Sequence, residues 1–165
     1  MEIKNITEML DNEYELLDAS TTGKTKTVID LLNKNVNIEA KNTYDDTPLH
    51  LASLHNNKEI VQELLNRKAN IEAKSNKHNT PLHNGTYNGH IDIVKLLLQN
   101  NANPNAENSL SYTPLMCASL DGNKYIIREL LNRKGDPKMK NYKGETSYDI
   151  AVSKNHSMDI IELLR

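Results

Sequence analysis

Three groups of residues in this 165-residue sequence are of types that can do chemistry: a Gly-Lys-Thr triplet, the histidines and the single cysteine. The segment from Asp18 ends in Gly23-Lys24-Thr25, and a glycine-rich loop ending this way would bring backbone N–H groups, an ammonium and a hydroxyl to the phosphates of a nucleotide. That motif needs a glycine where Asp18 stands, and it needs a strand that leads into the loop. The sequence meets neither condition, so we do not expect a nucleotide site.

The six histidines raise the question of a metal site. Zinc needs three or four ligands that converge on one point. His50 and His83 instead occupy the same position in two copies of one motif, so they should lie about one helix spacing apart, roughly 8–10 Å. We expect each imidazole to hydrogen-bond near the N-terminus of its own helix and across to the next repeat, and we expect no metal.

Cys117 and Asn84 share another repeated position, which is occupied by Leu51 in the best copy of the motif. A nucleophilic cysteine needs an exposed, electropositive setting, and this position is predicted to be buried. A buried amide such as Asn84 needs partners; we expect it to bond to a neighbouring loop, with a bound water or a local polar pocket as alternatives. Because no nucleophile–base or acid–base set converges, the sequence predicts no enzyme activity and no cofactor.

The elements that position these residues are repeated along the chain. TPLHLA starts at Thr47, TPLHNG at Thr80, TPLMCA at Thr113, and a looser copy at Thr146, so the period is 33 residues. A pair of leucines and a preceding branched residue recur with the same period, and together they give each second helix an apolar stripe that only a neighbouring repeat can bury. The columns are Leu31-Leu32, Leu64-Leu65, Leu97-Leu98, Leu130-Leu131 and Leu163-Leu164, preceded by Val28, Val61, Val94, Ile127 and Ile160.

A period of 33 with TPLH-x-A resembles the ankyrin repeat, and the resemblance covers about 150 residues. It implies an all-α solenoid of helix-turn-helix repeats with short β-hairpin loops, in which Thr caps the first helix and Pro takes its first position. We expect one domain over 1–165. It comprises an extension at 1–8 and repeats at about 9–41, 42–74, 75–107, 108–140 and 141–165.

Some local departures from the family pattern carry their own expectations. Residues 1–12 have apolar side chains at helical spacing, which indicates either a short helix over the open end of the stack or a frayed terminus. The Gly that usually ends the second helix is replaced by Asn35, Lys68, Asn101 and Lys134; since Lys adopts a left-handed conformation at a cost, we expect irregularity at Lys68 and Lys134. The fifth repeat resembles a C-terminal cap, and Arg165 is either the true end or a cut in a longer array.

Charge and composition narrow the kind of partner. The net charge is −2, and Lys and Arg are scattered, so we expect neither nucleic acid nor a membrane surface as a partner. One cysteine suits a reducing compartment, and the opening residues lack a signal peptide or a membrane span. We expect a cytoplasmic monomer, acting in a host cell's cytoplasm if it is exported.

The resemblance implies a non-enzymatic scaffold that binds another protein through the hairpin tips and the concave side of the first helices. Alternatives are a targeting or regulatory region of a larger protein, a secreted host-directed effector, and a structural protein that assembles end to end. Tyr is a favoured binding anchor, and four of the seven Tyr fall at the implied contact positions. Those positions are Tyr44, Asp46, Leu54, His55, Lys77, Asn79, Tyr87, Asn88, Leu110, Tyr112, Leu120, Asp121, Tyr142, Lys143 and Glu145.

Overall fold

A computed structural model describes the backbone of residues 2–165 and the side chains from residue 8 onward. Ten α-helices follow one another within these residues. They are α1 (Glu2–Thr22), α2 (Thr25–Asn33), α3 (Pro48–Leu54), α4 (Lys58–Asn66), α5 (Pro81–Tyr87), α6 (Ile91–Gln99), α7 (Pro114–Asp121), α8 (Lys124–Asn132), α9 (Ser147–Ser153) and α10 (Met158–Ile161), the last followed by a 3₁₀ turn at Glu162–Leu164. The all-α repeat fold predicted from the sequence is confirmed.

The Thr-Pro pair starts the first helix of repeats two to four. Thr47 is extended at φ −84° and ψ 168°, its hydroxyl accepts a hydrogen bond from the His50 N–H, and Pro48 takes the first helical position. Thr113 caps α7 in the same way through the Met116 N–H. The predicted cap therefore forms, because an extended Thr and a Pro with a fixed φ both suit a helix start.

Repeat one lacks this pair, and its first helix is longer as a result. Tyr14 and Glu15 stand where Thr47 and Pro48 stand one repeat later, so no proline or extended cap interrupts the chain. Helix α1 accordingly runs without a break from Glu2 to Thr22, across the predicted boundary between residues 8 and 9. Of the two alternatives for residues 1–12, a short helix or a frayed terminus, the structure has a helix from Glu2 onward, but it is the start of α1 and not a short helix of its own.

The second helices of repeats one to four (α2, α4, α6 and α8) end in the same left-handed turn. Asn35, Lys68, Asn101 and Lys134 have φ between 58° and 68°. At Lys68, the Ala69 N–H donates to the Leu64 carbonyl at 2.9 Å and the Lys68 N–H donates to the Leu65 carbonyl at 3.0 Å. The Lys134 turn has the same two bonds, so the irregularity expected at the lysines was wrong; this double closure satisfies the free carbonyls and offsets the strain of the Lys conformation.

The helices form two layers that share one core. The first helices α1, α3, α5, α7 and α9 pack in series, as do the second helices α2, α4, α6 and α8 behind them. The predicted branched column Val28, Val61, Val94 and Ile127 has no exposed surface, and Leu31, Leu64, Leu97 and Leu130 are at most 2% exposed. Each repeat thus buries its stripe against its neighbours. Among the described helices, none combines the length and the apolar character needed to cross a lipid bilayer.

Candidate functional site

The repeated histidines hold the scaffold together. His50 Nδ1 accepts from the Thr47 N–H at 3.2 Å, while Nε2 lies 2.9 Å from the Asn79 carbonyl oxygen of the next repeat. His83 makes the same two contacts with Thr80 and Tyr112. A carbonyl can only accept, so Nε2 carries the proton and each imidazole is neutral and fully bonded. The predicted structural role of these histidines is confirmed.

The other two candidates for chemistry, the Gly-Lys-Thr triplet and Cys117, are taken up by structural contacts or buried. Lys24 pairs with Asp18 at 2.9 Å, and Gly23 is the left-handed residue that ends α1. Cys117 is 5% exposed, and burial, with a smaller contribution from the Asp121 charge, raises the pKa of its thiol to about 12. Within the described residues there is no group of three or more His, Cys, Asp or Glu placed to hold a metal ion.

Asn84 bonds to a helix instead of the loop that we expected. Its Nδ2 donates to the backbone carbonyl of His50, 3.3 Å away in α3. Gly85, the next residue, serves a different contact: a Cβ there would lie 3.0 Å from Ile93 Cγ2, so its small size lets α5 pack closely on α6. Asn84 also lines a hollow on the concave face, so the loop partner was wrong and the polar-pocket alternative agrees with the structure.

The hairpin tips are held in place by asparagine side chains. Asn42 Oδ1 accepts from the Tyr44 N–H at 2.8 Å and the Asp46 N–H at 2.9 Å. Asn108 does the same for Leu110 and Tyr112. These two tips therefore present their outer side chains from turns whose backbone is already fixed. The tip of repeat three has Ser75 at the asparagine position and is closed by the Ser75 N–H, which donates to the Asn79 carbonyl at 3.0 Å.

Single backbone bonds connect one tip to the next. The Asn76 N–H donates to the Tyr44 carbonyl, and the Ser109 N–H donates to the Lys77 carbonyl, at 2.9 and 3.0 Å. The third link joins the Tyr142 N–H to the Leu110 carbonyl at 3.1 Å. No residue between 2 and 165 is assigned to a strand, so the tips are linked turns without a paired ladder.

Eight of the predicted contact residues meet at one hollow between repeats three and four, which we call the groove pocket. It has a volume of about 420 Å³. Its lining combines tip residues with the exposed side of the first helices, and Cys117 and Asn84 form part of it. The eight are Leu54, Lys77, Asn79, Tyr87, Asn88, Leu110, Tyr112 and Leu120.

The remaining predicted residues lie beside this pocket or farther along the tips. Tyr44 and Asp46 line a smaller adjoining hollow of about 160 Å³, which shares Leu54 and Lys77 with the groove pocket. The other five are not part of either lining. His55 and Asp121 are exposed at the ends of α3 and α7, Tyr142 and Lys143 are exposed at the last tip with the ammonium 5.6 Å from the ring, and Glu145 accepts from Asn141 Nδ2 at 2.9 Å.

The sequence reasoning missed a larger hollow of about 480 Å³ between repeats one and two. Tyr14, Leu10 and Thr21 line it, together with Thr43 and Leu51 from repeat two. Thr21 stands 33 residues before Leu54, so extending the column rule to repeat one would have found it. Leu10 and Tyr14 had no such signal, because they reach the groove only through the continuation of α1.

Comparisons with known proteins agree with this architecture. The family model described as ankyrin repeats (3 copies) matches residues 16–108, and a second one described as ankyrin repeats (many copies) matches residues 97–151. A search of curated proteins found no match. Because the first model covers more than half of the chain, and the TPLH caps and the stacked helices are present, the chain belongs to the ankyrin repeat family.

Proposed function

We propose that this chain is a non-enzymatic scaffold that binds a partner protein across its concave face. Ankyrin repeats are in general protein-interaction modules. The observation that carries the proposal for this face is a row of three hollows along it, between repeats one and two, two and three, and three and four. A row of this kind suits a polypeptide that crosses several repeats.

Apolar side chains on this face supply the expected binding energy. Tyr44 and Tyr87 are 63% and 61% exposed, and Leu110 is 51% exposed, although each lines a hollow. Covering an aromatic side chain of about 150–250 Å² at roughly 25 cal/mol per Å² contributes a few kcal/mol before the costs of association. These rings are therefore the anchors that we expect a partner to cover.

The fixed tips reduce the cost of binding. Since Asn42, Asn108 and the links between tips already hold the backbone, little conformational entropy is lost when a partner docks. We propose that partner contact centres on the groove pocket, with Tyr44 and Asp46 extending it toward the N-terminal repeats.

Affinity capture with matched variants tests this proposal. The groove variant carries Tyr87→Ser, Tyr112→Ser and Leu120→Ser, and the control carries Tyr125→Ser on α8, where a 73% exposed tyrosine lines a hollow on the second-helix side. We expect the wild type and the control to capture the same proteins from a lysate of the source cell, and the groove variant to lose them. The proposal is wrong if capture survives in the groove variant and is lost in the control, provided that all three melt at similar temperatures.

A further inference from the structure

Hydrogen-bond donors that are free to bind a ligand lie on the tip side of the groove pocket. Lys77 is the one charged side chain in its lining, since burial lowers the pKa of His83 to about 4 and keeps that imidazole neutral. The Lys77 ammonium makes no ion pair within the described residues. Asn79 Oδ1 accepts from Asn108 Nδ2 at 3.0 Å, so the Asn79 amide keeps its N–H donors. The tip side of the pocket thus offers donors to a ligand.

Three large apolar side chains also line the pocket. Tyr87 and Leu120 belong to the first helices α5 and α7, and Leu110 belongs to the tip of repeat four. A pocket of about 420 Å³ accommodates a large aliphatic or aromatic side chain. At its buried floor, Asn84 Nδ2 is bonded to His50, while Asn84 Oδ1 has no hydrogen-bond donor among the described residues.

The charges around the groove pocket favour one orientation of a bound acidic segment. Asp121, which follows Leu120 at the end of α7, is exposed and unpaired within the described part of the chain. Around the groove pocket the Lys77 cation therefore lies at the tips and the Asp121 carboxylate lies at the helix end. Asp46, a carboxylate at the preceding tip, is outside this pocket and lines the adjoining hollow that shares Lys77. A carboxylate on the partner is attracted at the Lys77 side and repelled at the Asp121 side. A single lysine is too little for nucleic acid, whose binding needs many neutralised phosphates.

We propose that the groove pocket binds a protein segment in which a large apolar side chain stands beside an acidic residue. The apolar side chain packs among Tyr87, Leu110 and Leu120, and the carboxylate accepts hydrogen bonds from Lys77 Nζ and Asn79 Nδ2. This inference rests on the proposed function, because it names the chemistry of the partner at that same face.

Selection from a random peptide library tests the inference with the whole chain. Peptides of about eight residues suffice, because an extended chain of that length spans roughly 27 Å, more than two helix spacings of about 8–10 Å. The library is displayed on phage and selected in parallel on the wild type, on Lys77→Glu, on the groove variant and on Lys95→Glu. Lys95 is exposed on α6, so the last protein carries the same charge change on the second-helix surface.

The result expected on the wild type and on Lys95→Glu is enrichment of peptides with a large apolar residue next to Asp or Glu. Selection on Lys77→Glu should enrich Lys or Arg at that neighbouring position. In fluorescence anisotropy, a wild-type peptide should bind Lys77→Glu about tenfold more weakly, and changing its acidic residue to Lys should restore affinity.

Two other outcomes separate the inference from the function it rests on. In the first outcome, peptides enrich on the wild type and not on the groove variant, but they show no acidic preference, or they show the same acidic preference on Lys77→Glu. Either result overturns the inference and leaves the scaffold proposal standing. If nothing enriches on the wild type above the groove variant, both are overturned. Melting curves of the four proteins establish that each one is folded.

Discussion

His83 shows how one side chain joins two repeats. Its Nδ1 accepts from the Thr80 N–H, and its Nε2 donates to the Tyr112 carbonyl, which belongs to a tip of the groove pocket. Protonation of Nδ1 would remove the first bond and bury a charge that has no carboxylate partner among the residues whose side chains are described. Burial accordingly lowers the pKa of His83 from 6.5 to about 4, and it lowers the pKa of His50 as well.

The free energy of unfolding should therefore decrease as the pH is lowered through a defined window. Between pH 6.5 and about 4 the unfolded chain binds a proton at His83 that the folded chain does not, so stability is full above pH 6.5 and is lost as pH falls toward 4. The shift corresponds to about 3 kcal/mol at full extent. Urea unfolding at a series of pH values measures this loss of stability. The His83→Gln variant, which lacks the titrating imidazole, is the control for how steeply the unfolding free energy depends on pH. An equal decline in wild type and His83→Gln would contradict the assignment.

Element by element, three of the repeat junctions are linked by a side chain that lies just before a second helix. Asn57 Nδ2 donates to the Ser20 and Thr21 carbonyls at the end of α1, at 2.8 and 3.1 Å. His90 and His156 bond in the same way to the ends of α3 and α7. Carbonyls at a helix end have no partner within the helix, so these contacts satisfy buried acceptors across the repeat junction.

Replacing Asn57 by Ala should weaken the junction between repeats one and two. Ser20 is fully buried, so its carbonyl would be left without this donor, and we expect a loss of about 1–3 kcal/mol in the free energy of unfolding. Because a stack is held by contacts between neighbours, hydrogen exchange should speed up mainly in α1 and α2. Gln62→Ala, which removes an exposed amide contact within α4, is the matched control and should change stability by less than about 0.5 kcal/mol. Uniformly faster exchange along the chain would contradict a local junction.

The sequence predicted those features that the residue types and spacing within a single repeat determine. The Thr47 cap and the apolar Val and Leu columns of the second helices follow from residue type and spacing, and the structure confirms them. The continuous α1 was missed because it follows from an absent breaker at Tyr14. The regular turns at Lys68 and Lys134 were missed because two backbone bonds decide their conformation, and a residue preference does not show those bonds.

For the molecule as a whole, the candidate site depends on contacts that join different repeats. The resemblance to ankyrin repeats, carried over column by column, implied that tip and first-helix residues face the same side, and eight of them do line the groove pocket. The unused donors of Lys77 and Asn79 were not predictable, because they are known only once Asn108 is seen to occupy the Asn79 oxygen. The hollow beside Tyr14 likewise depends on how far α1 extends.

The fixed stack leads us to expect that binding changes the structure only locally. Because the tips and first helices are already fixed, binding should change the groove side chains without repacking the second helices. The proposal that a partner protein lies along the concave face is tested most directly by a map of perturbed backbone amides.

That measurement is an amide NMR titration of the isotope-labelled chain with a protein captured by the wild type. We predict that the largest shift changes fall at residues 77–79, 87–88, 110–112 and 120–121, while α4, α6 and α8 change little. Changes centred on Ile91, Lys95 and Tyr125, with the groove pocket unaffected, would contradict the account.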